Sequence, residues 1–389
     1  MTTIAPHAGA VADFALTNAQ LVLPDRVVHG TLRVRDGHID AIEADASDAK
    51  AIDLAGDYLL PGLIELHTDH LDAQLVPRVG VAWPPMSAVL AHDAALVSAG
   101  ITTSLDALTL GDLEDSHPRN STLFACVDAL DTARAQELLR CDHWLHLRCE
   151  LAHPELPALV QRLCTHERVR LLSLMDHTPG QRQYRDLSHY RRHYARSGVS
   201  WSDAEFAALL DARREQQQRL RSGQLGIVLD AANAHHLLVA SHDDTSTDDV
   251  AEAHSAGAKI AEFPTTLDAA QAARAADMAI VAGAPNLVRG GSHSGNVAAI
   301  ELARANCLDV LSSDFVPGSL LCGAFILAAE AGWALPRAIA TATQNPANLL
   351  GFVDRGALVE GRRADLVRVR RVRGQPVAIA TWVSGERRH

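Results

Sequence analysis

Eight short apolar segments, separated by stretches with helical spacing, occupy the middle of this chain. They are GLIEL (62–66), ITTSLDAL (101–108), HWLHLRC (143–149), VRLLSLM (169–175), LLVAS (237–241), KIAEF (259–263), AIVAG (279–283) and DVLSS (309–313). Strands that alternate with helices build parallel sheets, and eight such units suit a (β/α)8 TIM-type barrel of the α/β class. Gly100 and Gly257 sit between a helical run and the next strand, where a helix end favours glycine. A doubly wound open sheet competes with this reading, but no Gly-x-Gly-x-x-Gly follows the first strand.

The two ends of the chain have a different pattern. Residues 13–58 and the stretch GALVEGRRADLVRVRRVRGQPVAIATWVSGE alternate short β-prone pieces with turns, as antiparallel sheet does. The expected organisation is therefore a small β-sandwich domain from residues 1–58 and 355–389 around a barrel spanning 59–354. The 389 residues are 48% apolar, enough for a large core. A net charge of −12 argues against nucleic acid or an anionic membrane as partner over the whole surface. The six cysteines contain no Cys-x-x-Cys pair and read as reduced core residues. The first twenty residues carry no basic region ahead of an apolar run, and no apolar run reaches about 18 residues, so a cytoplasmic location is expected.

Catalytic groups of such a barrel gather at the C-terminal ends of its strands. The residues there are His67, Asp69, Asp106, Glu150, Asp176, His177, His242, Glu262, Asn286 and Asp314. Most are metal ligands by type, and imidazole with carboxylate and no thiolate suits Zn²⁺, Mn²⁺ or Fe²⁺. His67 and Asp69 are two apart and share a side of an ideal strand, which favours Asp69 over His70 as the second ligand. Taken singly, each of these residues reads equally well as a polar cap on the barrel.

LLPGLIELHTDH and TQNPANLLGFVDRGALVEGRRADLV resemble the entry to and exit from the barrel in the amidohydrolase superfamily. The resemblance implies two divalent metal ions, held by a strand 1 motif, a bridging carboxylate, two further histidines and an aspartate after strand 8. Here the motif is His67-Thr68-Asp69 where the superfamily has His-x-His. Many members bridge the metals with a carboxylated lysine, but Lys50 and Lys259, the two lysines of the chain, are misplaced for that role. Glu150 is then the expected bridge, with pairing to Arg148 as the alternative, and His67, Asp69, Glu150, His177, His242 and Asp314 form the expected ligand set.

Longer stretches, among them ELHTDHLD, LHLRCE, SLMDHTPGQRQY, GAPNLVRGGSHSGNVAA and LSSDF, resemble the diphosphatases of the bacterial carbon–phosphorus lyase pathway. That resemblance implies hydrolysis of α-D-ribose 1-methylphosphonate 5-triphosphate to the 5-phosphate and pyrophosphate. Asp314 would accept the proton of the attacking water, and His293 would stabilise charge on the phosphoryl oxygens. Independently of it, the segment after His177 carries Arg182, Arg185, Arg191, Arg192 and Arg196 against a single acid, Asp186, a pattern suited to polyphosphate or to a solvated helix face. NLVRGGSHSGN (286–296) offers a second cradle through Arg289, Gly290, Gly291, Ser292 and His293, with a helix expected to begin near Asn296. An amidohydrolase that opens a cyclic amide or deaminates a base is the alternative function. The expected partner is a small anionic substrate, and the expected assembly a homodimer.

Overall fold

The computed structural model describes residues 13–78, 81–113, 119–188, 190–191, 201–292 and 295–389. The chain opens with β1 (Phe14–Val22), β2 (Val27–Arg35), β3 (His38–Ala44), β4 (Ile52–Asp53) and β5 (Tyr58–Pro61). The barrel strands follow as β6 (Leu63–Thr68), β7 (Ile101–Leu110), β8 (Asp142–Glu150), β9 (Val169–Met175), β10 (Leu238–His242), β11 (Ile260–Glu262), β12 (Ala279–Gly283) and β13 (Val310–Ser312). The chain then returns through β14 (Leu366–Val372), β15 (Gln375–Val383) and β16 (Glu386–Arg387).

Strands β6 to β13 pair in sequence order, every pair parallel. The ring closes where Thr68 bridges Asp314 in parallel, and Asp69 N donates to the Asp314 carbonyl at 3.0 Å. At the other end Thr341 and Ala342 wedge between β13 and β6, their carbonyls accepting from Leu311 N at 2.9 Å and Ile64 N at 2.8 Å. All six residues of β6 are buried, as expected where helices cover one face and the barrel interior the other.

Side-chain alternation sorts the barrel residues into two layers. Leu145, Leu147 and Cys149 of β8 join Leu172, Leu174 and Ile280 in the packing between strands and helices. The lower interior is filled by Ile64, Leu105, Leu171, Ala240, Ile260, Val281, Val310 and Phe352. Above that apolar plug the inward positions become polar, and the site sits there.

Strands β1, β2, β3, β5, β14, β15 and β16 form a second, mixed sheet, with β4 paired to β1. It curls on itself, bringing Phe14 and Trp382 into a stack at 6.2 Å and Ala364 N to 2.8 Å from the Gly37 carbonyl. The sheet takes in Tyr58–Pro61, so it reaches past the expected boundary at residue 58.

Candidate metal centre

Three histidines meet above the apolar plug, each with one ring nitrogen tied to a buried carboxylate. Glu262, fully buried on β11, accepts from His67 Nδ1 and from His242 Nδ1, each at 2.8 Å. Glu150 accepts from His177 Nδ1 at 2.8 Å. This fixes the tautomers: Nδ1 carries the proton in each neutral ring, and the Nε2 lone pairs face the cavity. A carboxylate behind each imidazole is the usual support of a metal-binding histidine.

Of the four groups of ligand-capable atoms among the described residues, two combine these histidines with aspartates, His67 with Asp69 and Asp314, and His177 with His242 and Asp243; within each, the atoms lie within 4.8 Å of one another. These all-nitrogen-and-oxygen sets fit a divalent ion such as Zn²⁺ or Mn²⁺. Asp243 directly follows β10 and Asp314 lies two residues past β13, with φ of 57° and 53°, backbone conformations that side chains with a Cβ seldom adopt and that concentrate at functional sites.

Between the two groups stands Arg148. Its Nη1 donates to both oxygens of Asp69 at 2.9 and 2.8 Å, and its Nη2 lies 3.4 Å from His242 Nε2. The alternative pairing of Arg148 with Glu150 is thus replaced by pairing with Asp69. Along β8, His146, Arg148 and Glu150 all point inward because they are two apart.

Burial opposes a charge on His67, but Glu262 and Asp69 outweigh it and raise the imidazole to about 10 in the metal-free chain. Burial would also push Glu262 up; the neighbouring His67 and His146 reverse this and hold it well below the usual carboxylate range. Asp314 is pushed up to about 7 by burial and then by the charge of Asp69. His146 is driven down to about 3, chiefly by burial.

The structure brings together His67, Asp69, His177, His242 and Asp314 of the expected ligands. Glu150 accepts from the ring and backbone nitrogens of His177, so its carboxylate orients that imidazole. His70 turns away to His92, Nδ1 to Nδ1 at 3.0 Å. Asp106 lies behind the barrel, accepting from His92 Nε2 at 2.9 Å and His143 Nδ1 at 2.8 Å. Asp176 is held by Gln217 and Arg221.

Arg182 does not stand ready for phosphate. It is 6% exposed, ion-paired with Asp244, and donates to the His242 carbonyl at 3.0 Å. Arg185 is exposed, and Arg192, Arg196 and His293 lie outside the described residues. A cavity of about 210 Å³ has His67, Arg148, His242, Asp243 and Asp314 at its floor and Arg289, Gly291, Ser292 and Asn296 in its wall. Gly290 ends a short helix, Ala284–Arg289, in the left-handed conformation at φ 77°. The next helix is Ala299–Arg304, later than expected, and Asn286 Oδ1 accepts from Ala299 N at 3.0 Å.

His146, Arg148, Ser173 and Asp243 were not among the expected site residues. Ser173 Oγ donates to Glu262 at 2.8 Å and accepts from His146 Nε2. The two-residue spacing of His146, Arg148 and Glu150 on one strand was the available signal.

No family model matches the chain. The chain is 43% identical, over 96% of its length and 99% of the relative's, to the alpha-D-ribose 1-methylphosphonate 5-triphosphate diphosphatase of Escherichia coli (strain K12). Among solved structures it is similar to a 5-methylcytosine deaminase from Klebsiella pneumoniae, with a TM-score of 0.64, 17% identity, and 97% of each chain covered. An amidohydrolase matches with a TM-score of 0.63 at 16% identity, over 97% of this chain and 98% of the other. Likeness at such low identity speaks to the fold alone.

Proposed function

Since the chain belongs to the family of alpha-D-ribose 1-methylphosphonate 5-triphosphate diphosphatases, we propose that it hydrolyses this triphosphate to the ribose 1-methylphosphonate 5-phosphate and pyrophosphate, as a metal-dependent hydrolase. The observation that carries the reading is the 43% identity over nearly the full length of both chains. The geometry supplies what a hydrolase of this kind needs: His67 and His242 at one cavity with His177 beside His242, carboxylates next to them, and positive charge from Arg148 and Arg289 in the lining.

The residues for a divalent ion are His67, Asp69, Asp314, His177, His242 and Asp243, and Zn²⁺ is the ion this donor set favours over Mn²⁺ and Fe²⁺. A bound ion would make water a better nucleophile near neutral pH and offset phosphoryl charge. Asp314, at the cavity floor, is placed to take the proton of the attacking water. Arg148 faces the same space, and Arg289 with Gly291 and Ser292 would receive the outer phosphates, a contact to which His293 of the same loop would add. Asp69 is paired with Arg148, while Glu262 orients His242 and Glu150 orients His177.

The cyclic-amide alternative rests on fold likeness, which leaves the substrate open. Among the described residues no helix is long and apolar enough to cross a membrane; a cytoplasmic homodimer is our working assembly, to be checked by light scattering. The deciding assay offers Zn²⁺-loaded protein the ribose methylphosphonate triphosphate, ATP and a dihydropyrimidine. Pyrophosphate released from the first, well above that from ATP, supports the reading. Ring opening of the dihydropyrimidine without pyrophosphate release refutes it.

A further inference from the structure

We propose that the guanidinium of Arg148 is the resident cation of one half of this centre, so that the chain holds one divalent ion, at His177, His242 and Asp243, and not two. The proposal rests on the metal-dependent reading above and concerns how many ions that centre takes and where.

The two donor groups are unequal because of where β8 delivers Arg148. Toward Asp69 the guanidinium makes its close contacts, 2.9 and 2.8 Å to the two carboxylate oxygens. Toward His242 it makes one long contact, 3.4 Å to Nε2. An ion entering the His177 group meets Arg148 at that long contact. An ion entering the His67 group must take Asp69 from a permanent cation that is 8% exposed and cannot shed its proton. Asp69 is half-buried, and stripping it from Arg148 leaves a buried guanidinium without that partner charge, a costly change in a protein interior.

Position on the strand limits any escape. Arg148 lies between His146, whose Nε2 is bound to Ser173, and Glu150, which is bound to His177, so the barrel interior beside it is occupied. Its side chain reaches the cavity that also exposes Asp314 and Asp243. A guanidinium is suited to what a second metal ion would do for a phosphoryl group, since it neutralises charge and donates two parallel hydrogen bonds to its oxygens.

The test is stoichiometry. Purified chain is stripped with chelator, reloaded with Zn²⁺, dialysed to leave tightly held ions, and analysed for metal per chain, with circular dichroism to confirm the fold. One ion is expected in the unaltered protein, two in Arg148→Met, and one in Arg148→Lys, which keeps the charge. Asp243→Asn should hold none, while Asp314→Asn should keep the single ion. Two ions in the unaltered protein overturn the proposal and leave the metal-dependent reading intact; no ion at all refutes that reading itself. One ion in a folded Arg148→Met overturns the proposal too, because something else would then exclude the second. Arg148→Gln replaces Arg148→Met if the latter fails to fold.

Discussion

Replacing Glu262 by glutamine probes the centre at its most shared support. The carboxylate accepts three hydrogen bonds, from His67 Nδ1, His242 Nδ1 and Ser173 Oγ, each at 2.8 Å. His67 meets one oxygen; His242 and Ser173 meet the other. An amide of the same shape has one accepting oxygen and one donating nitrogen. With its oxygen toward His242 and Ser173 it keeps two bonds and sets its NH₂ against His67 Nδ1. To accept from that NH₂, the His67 ring must move its proton to Nε2, the nitrogen that faces the cavity. The reverse orientation disables His242 in the same way and also strands Ser173. In either case the anion behind His242, the imidazole that serves the ion at His177, His242 and Asp243, is gone. Loss of such a carboxylate weakens metal binding by roughly tenfold to a hundredfold, about 1.4 to 2.7 kcal/mol. Zn²⁺ affinity, read by competition against a chromophoric chelator, should fall by that factor in Glu262→Gln with the fold retained. A folded variant with unchanged affinity would show that the Glu262 contacts do not prepare the rings for metal.

Three other outcomes are expected. Behind the barrel, burial disfavours charge on His143, but Asp106 and Asp93 outweigh it and raise the imidazole to about 10. A raised histidine gives stability that is complete below about pH 6.5 and is lost as pH rises toward 10. Asp106→Asn should therefore lower stability by about 3–5 kcal/mol at pH 6 and flatten the decline between pH 6.5 and 10 in urea titrations; an unchanged slope would discount the pair. Arg182→Gln should act on stability, since it strands the buried Asp244, whereas Arg289→Gln should raise KM for the triphosphate about tenfold, a loss near 1.4 kcal/mol, and leave the melting curve in place. Hydrolysis in ¹⁸O-water should place the label in the ribose 5-phosphate, as attack at the α-phosphorus requires; label in pyrophosphate would move the attack to the β-phosphorus.

The parts of this protein that were legible in its sequence are those set by one strand at a time. Barrel strands are covered on both faces, so they appear as unbroken apolar runs, and the residue at the end of a run is at the mouth of the barrel whatever its neighbours do. That placed His177, His242 and Asp314 near the centre. His67 also lies there, although the alternation that pairs it with Asp69 is that of an ideal strand and the β6–β7 register shifts between Leu63 and Ile64 and again between Glu65 and Thr68. Legibility fails where a role depends on which atoms meet across the barrel. Glu150 reads as a ligand until its oxygens are found on His177, and Arg182 reads as a phosphate receiver until Asp244, 62 residues later, is found beneath it. Glu262 stood at a strand end all along. His242 is its ladder partner on the adjacent β10, but nothing in its own neighbourhood reveals that it also serves His67 of β6, since only closure of the barrel brings that strand to the same carboxylate. A carboxylate that binds metal and one that turns a histidine toward metal occupy the same kind of position, and what separates them is whether an imidazole reaches the carboxylate before an ion can.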